Sequence, residues 1–83
     1  MGEVLNFSDE SKNVIIGGVY RHYKNKYYQV IAMARHSETL EELVVYQALY
    51  GEKGCWVRPL KMFIELINLD GKRVPRFERV LED

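Results

Sequence analysis

Cysteine, proline and net charge are what this chain has least of: one Cys, two Pro, and 12 Lys+Arg balanced by 12 Asp+Glu. A lone Cys55 cannot close an intrachain disulfide or a cysteine-based zinc centre. No apolar run approaches the roughly eighteen residues a membrane-spanning helix needs, so no membrane partner is expected. The opening Met1 to Phe7 has neither a basic start nor a long apolar stretch, so it does not read as a secretory signal. A cytoplasmic location follows by default. The balanced charge argues against a general polyanion binder but leaves room for a local basic patch. No cofactor and no metal are expected.

What is present suits a single small folded domain. The 83 residues are 47% hydrophobic and 29% charged, too apolar for disorder. A chain this short buries only about 60% of its unfolded surface, so it encloses no large cavity. Charge is unevenly distributed. Residues 17–36 hold Arg21, Lys24, Lys26 and Arg35 with no acid, whereas residues 37–56 hold Glu38, Glu41, Glu42 and Glu52 against Lys53 alone. A basic segment followed by an acidic one suits two neighbouring strands paired by cross-strand charge.

Residues 1–16 read as a loosely held lead-in, with Ser8, Asp9, Ser11 and Asn13 breaking any period and Val14-Ile15-Ile16 needing somewhere to dock. Val19 to Tyr23 reads as a strand, Lys24-Asn25-Lys26 as a turn, and Tyr27 to His36 as a second strand. The even positions of that strand, Tyr28, Val30, Ala32 and Ala34, are apolar throughout and are expected to face inward. Residues 37–50 carry two signals. Thr39-Leu40-Glu41-Glu42 is a helix-capping box, while Val44-Val45-Tyr46 followed by Gly51-Glu52-Lys53-Gly54 suggests a strand, a hairpin loop and a second strand, Cys55 to Arg58. Pro59 should end that strand, Leu60 to Phe63 make a short helical turn, and Ile64 to Leu69 resume as strand. Asp70-Gly71 is the strongest hairpin signal in the chain, and Val74 to Val80 returns, with Pro75 at an edge or bulge. The expected fold is all-β, a small barrel with short hairpins and one short helical turn.

Six blocks support this. Tyr20-Arg21-His22-Tyr23-Lys24, Ala34-Arg35-His36-Ser37-Glu38-Thr39, Val44-Val45-Tyr46, Leu49-Tyr50-Gly51, Trp56-Val57-Arg58-Pro59-Leu60 and Val74-Pro75-Arg76-Phe77 occur in order. Together they resemble the bacterial family catalogued as domain of unknown function sixteen-fifty-three. The resemblance covers residues 17–80 or so, implies an SH3-like barrel over residues 17–83, and implies a strand at residues 43–50. It implies no activity, cofactor or catalytic residue.

Candidate chemistry is sparse. His36, Ser37 and Glu38 have the residue types of a hydrolytic triad, but strand neighbours point to opposite faces, and a strand-ending turn accounts for them. They carry a hydrolase-like reading that ranks third, and the chain is expected not to be an enzyme. His22 and His36, even with Glu38, make a poor metal site. Cys55 reads as a buried small hydrophobe.

The aromatics, six Tyr, three Phe and one Trp, are the informative excess. With Gly51 to Gly54 as the loop, Tyr50 would face Cys55, Leu49 would face Trp56, Ala48 would face Val57, and Gln47 would face Arg58. Gln47, Leu49, Trp56 and Arg58 would then share one outward face with Val45, covered by Val14–Ile16 or offered to a partner. The first functional reading is a non-catalytic module binding a protein segment there. The second is a nucleic-acid binder using Arg21, Lys24, Lys26, Arg35 and Arg58 with exposed aromatics for stacking.

Overall fold

Positive backbone angles mark where this chain turns back on itself. Asn25 (φ 69°) sits between β1 (Val19–His22) and β2 (Lys26–Arg35) in a computed structural model that describes residues 7–81. Residues 1–6 and 82–83 lie outside the described residues, so only part of the expected lead-in is open to comparison. What is described of it is ordered into a helical turn, α1 (Asp9–Lys12), rather than patternless. The Ser8 hydroxyl accepts the Ser11 N–H as N-cap, and Ser11 is buried.

Residues 37–50 resolve in favour of the strand. β3 (Glu42–Ala48) runs antiparallel to β2 and to β4 (Cys55–Pro59). The Glu42 carboxylate, which a capping box would have used on its own helix, instead accepts from the backbone N–H and hydroxyl of Ser8. This ties the lead-in to the end of β3. Pro59 ends β4 at the start of α2 (Leu60–Phe63). β5 (Leu66–Leu69) and β6 (Lys72–Pro75) form a separate hairpin with Leu69 opposite Lys72. Asp70 (φ 52°) and Gly71 (φ 81°) supply the two left-handed residues of a type I′ turn. After a break at Arg76, β7 (Phe77–Arg79) pairs with β1.

The main sheet therefore has the order β4-β3-β2-β1-β7. The fold is all-β, with two four-residue helices among the described residues. A ladder joining β4 to β7, which would close the sheet into a barrel, is not among the pairings of the described residues.

The core lies on one face of this sheet. Val30, Val44, Tyr46 and Tyr20 meet Phe77, Leu60, Phe63 and Val14. Phe63 and Phe77 stack with ring centroids 4.3 Å apart, and Tyr20 and Tyr46 approach Phe63 from the side. Such pairs contribute about 0.5–1.5 kcal/mol each beyond the area they bury. Val14 puts the lead-in into the same core as residues 17–80, and the Tyr20 hydroxyl accepts the Ile15 N–H. Gly18 sits at a close approach: a Cβ there would lie 3.0 Å from the Ile15 carbonyl oxygen, so a larger residue would push that backbone aside.

One expectation about β2 is corrected. Its even positions do not face inward along its whole length. Val30 pairs with Tyr46 and Ala32 with Val45, leaving Ile31 as an extra residue in a bulge. The bulge inverts the alternation, so Met33, not Ala32 or Ala34, packs on the core beside Val44.

Candidate functional site

The geometry of the β3–β4 pair decides where the exposed aromatics point. β3 stops at Ala48 rather than running to Tyr50: the Leu49 N–H still bonds the Tyr27 carbonyl in the β2–β3 register, but beyond it Gly51 and Lys53 take left-handed angles (φ 59° and 58°). The connection is Leu49 to Gly54, longer than the expected Gly51 to Gly54 loop. The register that results pairs Val44 with Arg58, Val45 with Val57, Tyr46 with Trp56 and Gln47 with Cys55.

This corrects the expected register by three residues, and an odd slip turns β4 over. Trp56 and Arg58 share the inner face with Tyr46 and Val44. Gln47 lies on the outer face beside Cys55, and Leu49 lies in the loop. The expected set Gln47, Leu49, Trp56 and Arg58 is thus not one face. Val14 is buried in the core, and the exposed Ile15 and Ile16 line a groove with Phe7 and Met33 rather than covering Trp56. Cys55 is exposed rather than buried, because β4 is the sheet's edge.

The inner face instead gathers a different set at the open end of the core. Tyr28 lies edge-on to Tyr46, Tyr50 and Phe77, with centroids 5.2, 5.5 and 5.7 Å away. The Tyr28 and Tyr50 hydroxyls share a hydrogen bond of 2.5 Å. Burial, followed by that bond, pushes Tyr28 up to about 12. Tyr50 and Trp56 border a hollow of about 260 Å³ with Ala48 among its lining residues, and Trp56 is 58% exposed.

Cations rest on the rings. The Lys26 Nζ lies 4.6 Å from the Tyr50 centroid, and the Arg58 guanidinium 5.6 Å from that of Phe77. Arg58 Nε donates to the Tyr46 hydroxyl at 3.2 Å. No carboxylate pairs with Arg58 among the described residues. His22 packs edge-on to Phe77 at 4.9 Å and accepts the Lys24 N–H at Nδ1, which places the proton of the neutral ring on Nε2. Burial holds its pKa below the usual histidine value, and Arg58, Arg76 and Lys24 add to the depression. The surroundings of His22 are thus electropositive.

The five bases of the alternative patch are dispersed. Arg21 faces outward and pairs with Glu78 at 2.9 Å. Arg35 is at the far end of the ten-residue β2 from Lys26, lies over Phe7 and donates to the Leu40 carbonyl. Lys24, Lys26 and Arg58 remain near the aromatic surface, with Lys24 over Tyr23. His22 and His36 are likewise at opposite ends of β2. His36, Ser37 and Glu38 sit in an exposed turn where His36 Nδ1 accepts the N–H groups of Glu38 and Thr39. Among the described residues, no three His, Cys, Asp or Glu are grouped to hold a metal, and no helix is long and apolar enough to cross a membrane.

Sequence reasoning singled out Trp56 and Arg58 but missed Tyr28, Tyr46, Tyr50 and His22 as their company. The signal was available: Lys26 and Tyr28 alternate across a turn from His22, which puts all three on one face.

No curated protein matches the chain. It is similar to the protein in the crystal structure of a DUF1653 member from Bordetella bronchiseptica, with 37% identity and a TM-score of 0.72 over 82% of this chain and 90% of that one. The family model described as "Protein of unknown function (DUF1653)" matches residues 18–79, and with so much of the chain matched, the protein belongs to that family.

Proposed function

We propose that this domain is a non-catalytic binding module of the SH3-like kind, working in the cytoplasm, that takes up a protein segment over Tyr50, Trp56 and Arg58. The observation that carries this reading is a hollow bordered by Tyr50 and Trp56, with Arg58 two positions from Trp56 on the same face of β4 and paired with no acid among the described residues. A largely exposed Trp next to a positioned Arg is the composition of a binding hot spot rather than of a solvated surface. Gln47 and Leu49 lie outside this surface.

Nucleic-acid binding is the second reading. It draws on Lys26 over Tyr50 and Lys24 over Tyr23, cations placed beside rings on which bases can stack. Its weakness is the dispersal of Arg21 and Arg35. The two separate by salt, since phosphate contacts lose affinity steeply as ionic strength rises.

The test is selection of displayed random peptides on the full chain, with the enriched peptides mapped by amide chemical shifts. Perturbation centred on Tyr50 and residues 55–59 supports the reading. No enrichment, together with salt-sensitive binding of oligouridine at the same residues, replaces it with the second.

A further inference from the structure

Strand β4 has one occupied edge. Its pairing with β3 uses Trp56 and Arg58: the Ala48 N–H donates to the Gly54 carbonyl, and this phase carries along the ladder to Tyr46/Trp56 and Val44/Arg58 as the hydrogen-bonded pairs. The N–H and C=O groups of Cys55 and Val57 therefore point away from the sheet. Pro59, which has no N–H to offer, falls in the same outward phase, as edge prolines do. Among the described residues, no strand pairs with this edge, and Val57 is 57% exposed. An edge of this kind is a template for an added strand unless something blunts it. Here the side chain that flanks it is Arg58, held in place by Tyr46 and Phe77 and paired with no acid among the described residues.

We propose that the bound segment adds to β4 as an extended strand and presents a carboxylate side chain to Arg58, two positions away from an apolar side chain that enters the Tyr50–Trp56 hollow. The inference rests on the binding-module reading and names its ligand. Strand geometry sets the spacing. Trp56 and Arg58 are two apart on one face, so the groups opposite them are two apart as well, and the residue between them lies against Val57 on the other face. Charge complementarity sets the acid. Arg58, Arg76 and Lys24 all act on His22, and among the described residues the only ion pair made by these three is that of Arg76 with Glu65 at 2.8 Å. Main-chain bonds to Val57 would supply affinity, and the two side chains would supply specificity.

The experiment titrates the full chain with an acetylated, amidated heptapeptide of Thr and Val carrying glutamate two positions before isoleucine, the order in which a strand antiparallel to β4 meets Arg58 and then Trp56. Its partner peptide has glutamine for the glutamate. The expected result is a set of amide shifts confined to residues 50–59, a shift of the Arg58 Nε–H, and binding weaker for the glutamine peptide by about tenfold, the scale of one charge-assisted bond. Arg58→Met keeps the packing on Phe77 and should bring the two peptides to equal affinity, with its amide spectrum showing that the fold persists. A peptide N-methylated at the residue that meets Val57 should not bind.

Equal binding of both peptides by the unaltered chain, at residues 50–59, overturns the carboxylate while leaving the module reading intact. Binding that survives N-methylation overturns strand addition. Self-association of the chain through β4, seen as concentration-dependent shifts at Cys55 and Val57 without peptide, overturns the inference in favour of a second copy as occupant. Binding of oligouridine in place of either peptide overturns both the inference and the module reading.

Discussion

Arg58 is held across the β3–β4 pair by Tyr46, whose hydroxyl accepts its Nε–H at 3.2 Å while the guanidinium lies over Phe77. A long cation is thereby kept half-buried on an aromatic platform.

Tyr46→Phe should lower stability by about 1 kcal/mol, the net value of one such hydrogen bond. That corresponds to about 4–8 °C in the thermal midpoint for a domain of this size. The ring contacts to Phe63, Phe77 and Tyr28 survive the change, so amide chemical shifts away from residue 46 and its neighbours are expected to hold alongside the lower midpoint. An unchanged midpoint would show that the bond contributes nothing.

The register itself is testable. Val45 and Val57 form a non-hydrogen-bonded pair, in which facing Cα atoms approach to about 4.5 Å. A strong Overhauser effect between their Hα protons is expected. The same effect between Leu49 and Trp56 would restore the tighter hairpin.

His22 is depressed by burial and by Arg58, Arg76 and Lys24, so the unfolded chain binds its proton more tightly than the native one. Stability contributed by the neutral ring is therefore complete above the unfolded value of 6.5 and is lost as pH falls below it toward the native pKa. Denaturant midpoints should rise with pH across that window. In His22→Gln the slope should vanish, and the native imidazole should titrate below 6.5 by nuclear magnetic resonance.

Ser8 both caps α1 and donates to Glu42. Ser8→Ala should cost about 1 kcal/mol through the lost cap. The Glu42 carboxyl, held below its ordinary 4.5 chiefly by the Ser8 N–H, adds stability that is present above that pH and fades as pH falls through the native value. Acid unfolding of Glu42→Gln should begin from a lower starting stability and show a shallower slope.

Leu40 occupies the left-handed region at φ 65°, a conformation that costs a side chain with a Cβ about 1–2 kcal/mol. It is half exposed, so little packing is lost on its removal. Leu40→Gly should raise the thermal midpoint. A fall would mean that its contacts around Leu60 outweigh the backbone strain.

Much of the fold was legible locally. Asp70-Gly71 announces its hairpin because few residues accept two left-handed angles in succession. Asn25 does the same for the β1–β2 turn, and Leu60 to Phe63 forms its helical turn directly after Pro59, as expected. Each of these signals is read by the residues that carry it, through sterics within three or four positions.

The side chains that meet at the candidate site were not legible in this way. Whether Trp56 points in or out depends on where the β3–β4 loop begins, and that is decided by the Leu49 N–H on the Tyr27 carbonyl and by Tyr50 reaching Tyr28, 22 residues away. The Ile31 bulge likewise moves Met33 inward by a slip of one residue. A strand's alternation tells only that neighbours face opposite ways. Which way is which is set by long-range contacts, because a one-residue difference in register exchanges the two faces at almost no cost to local geometry.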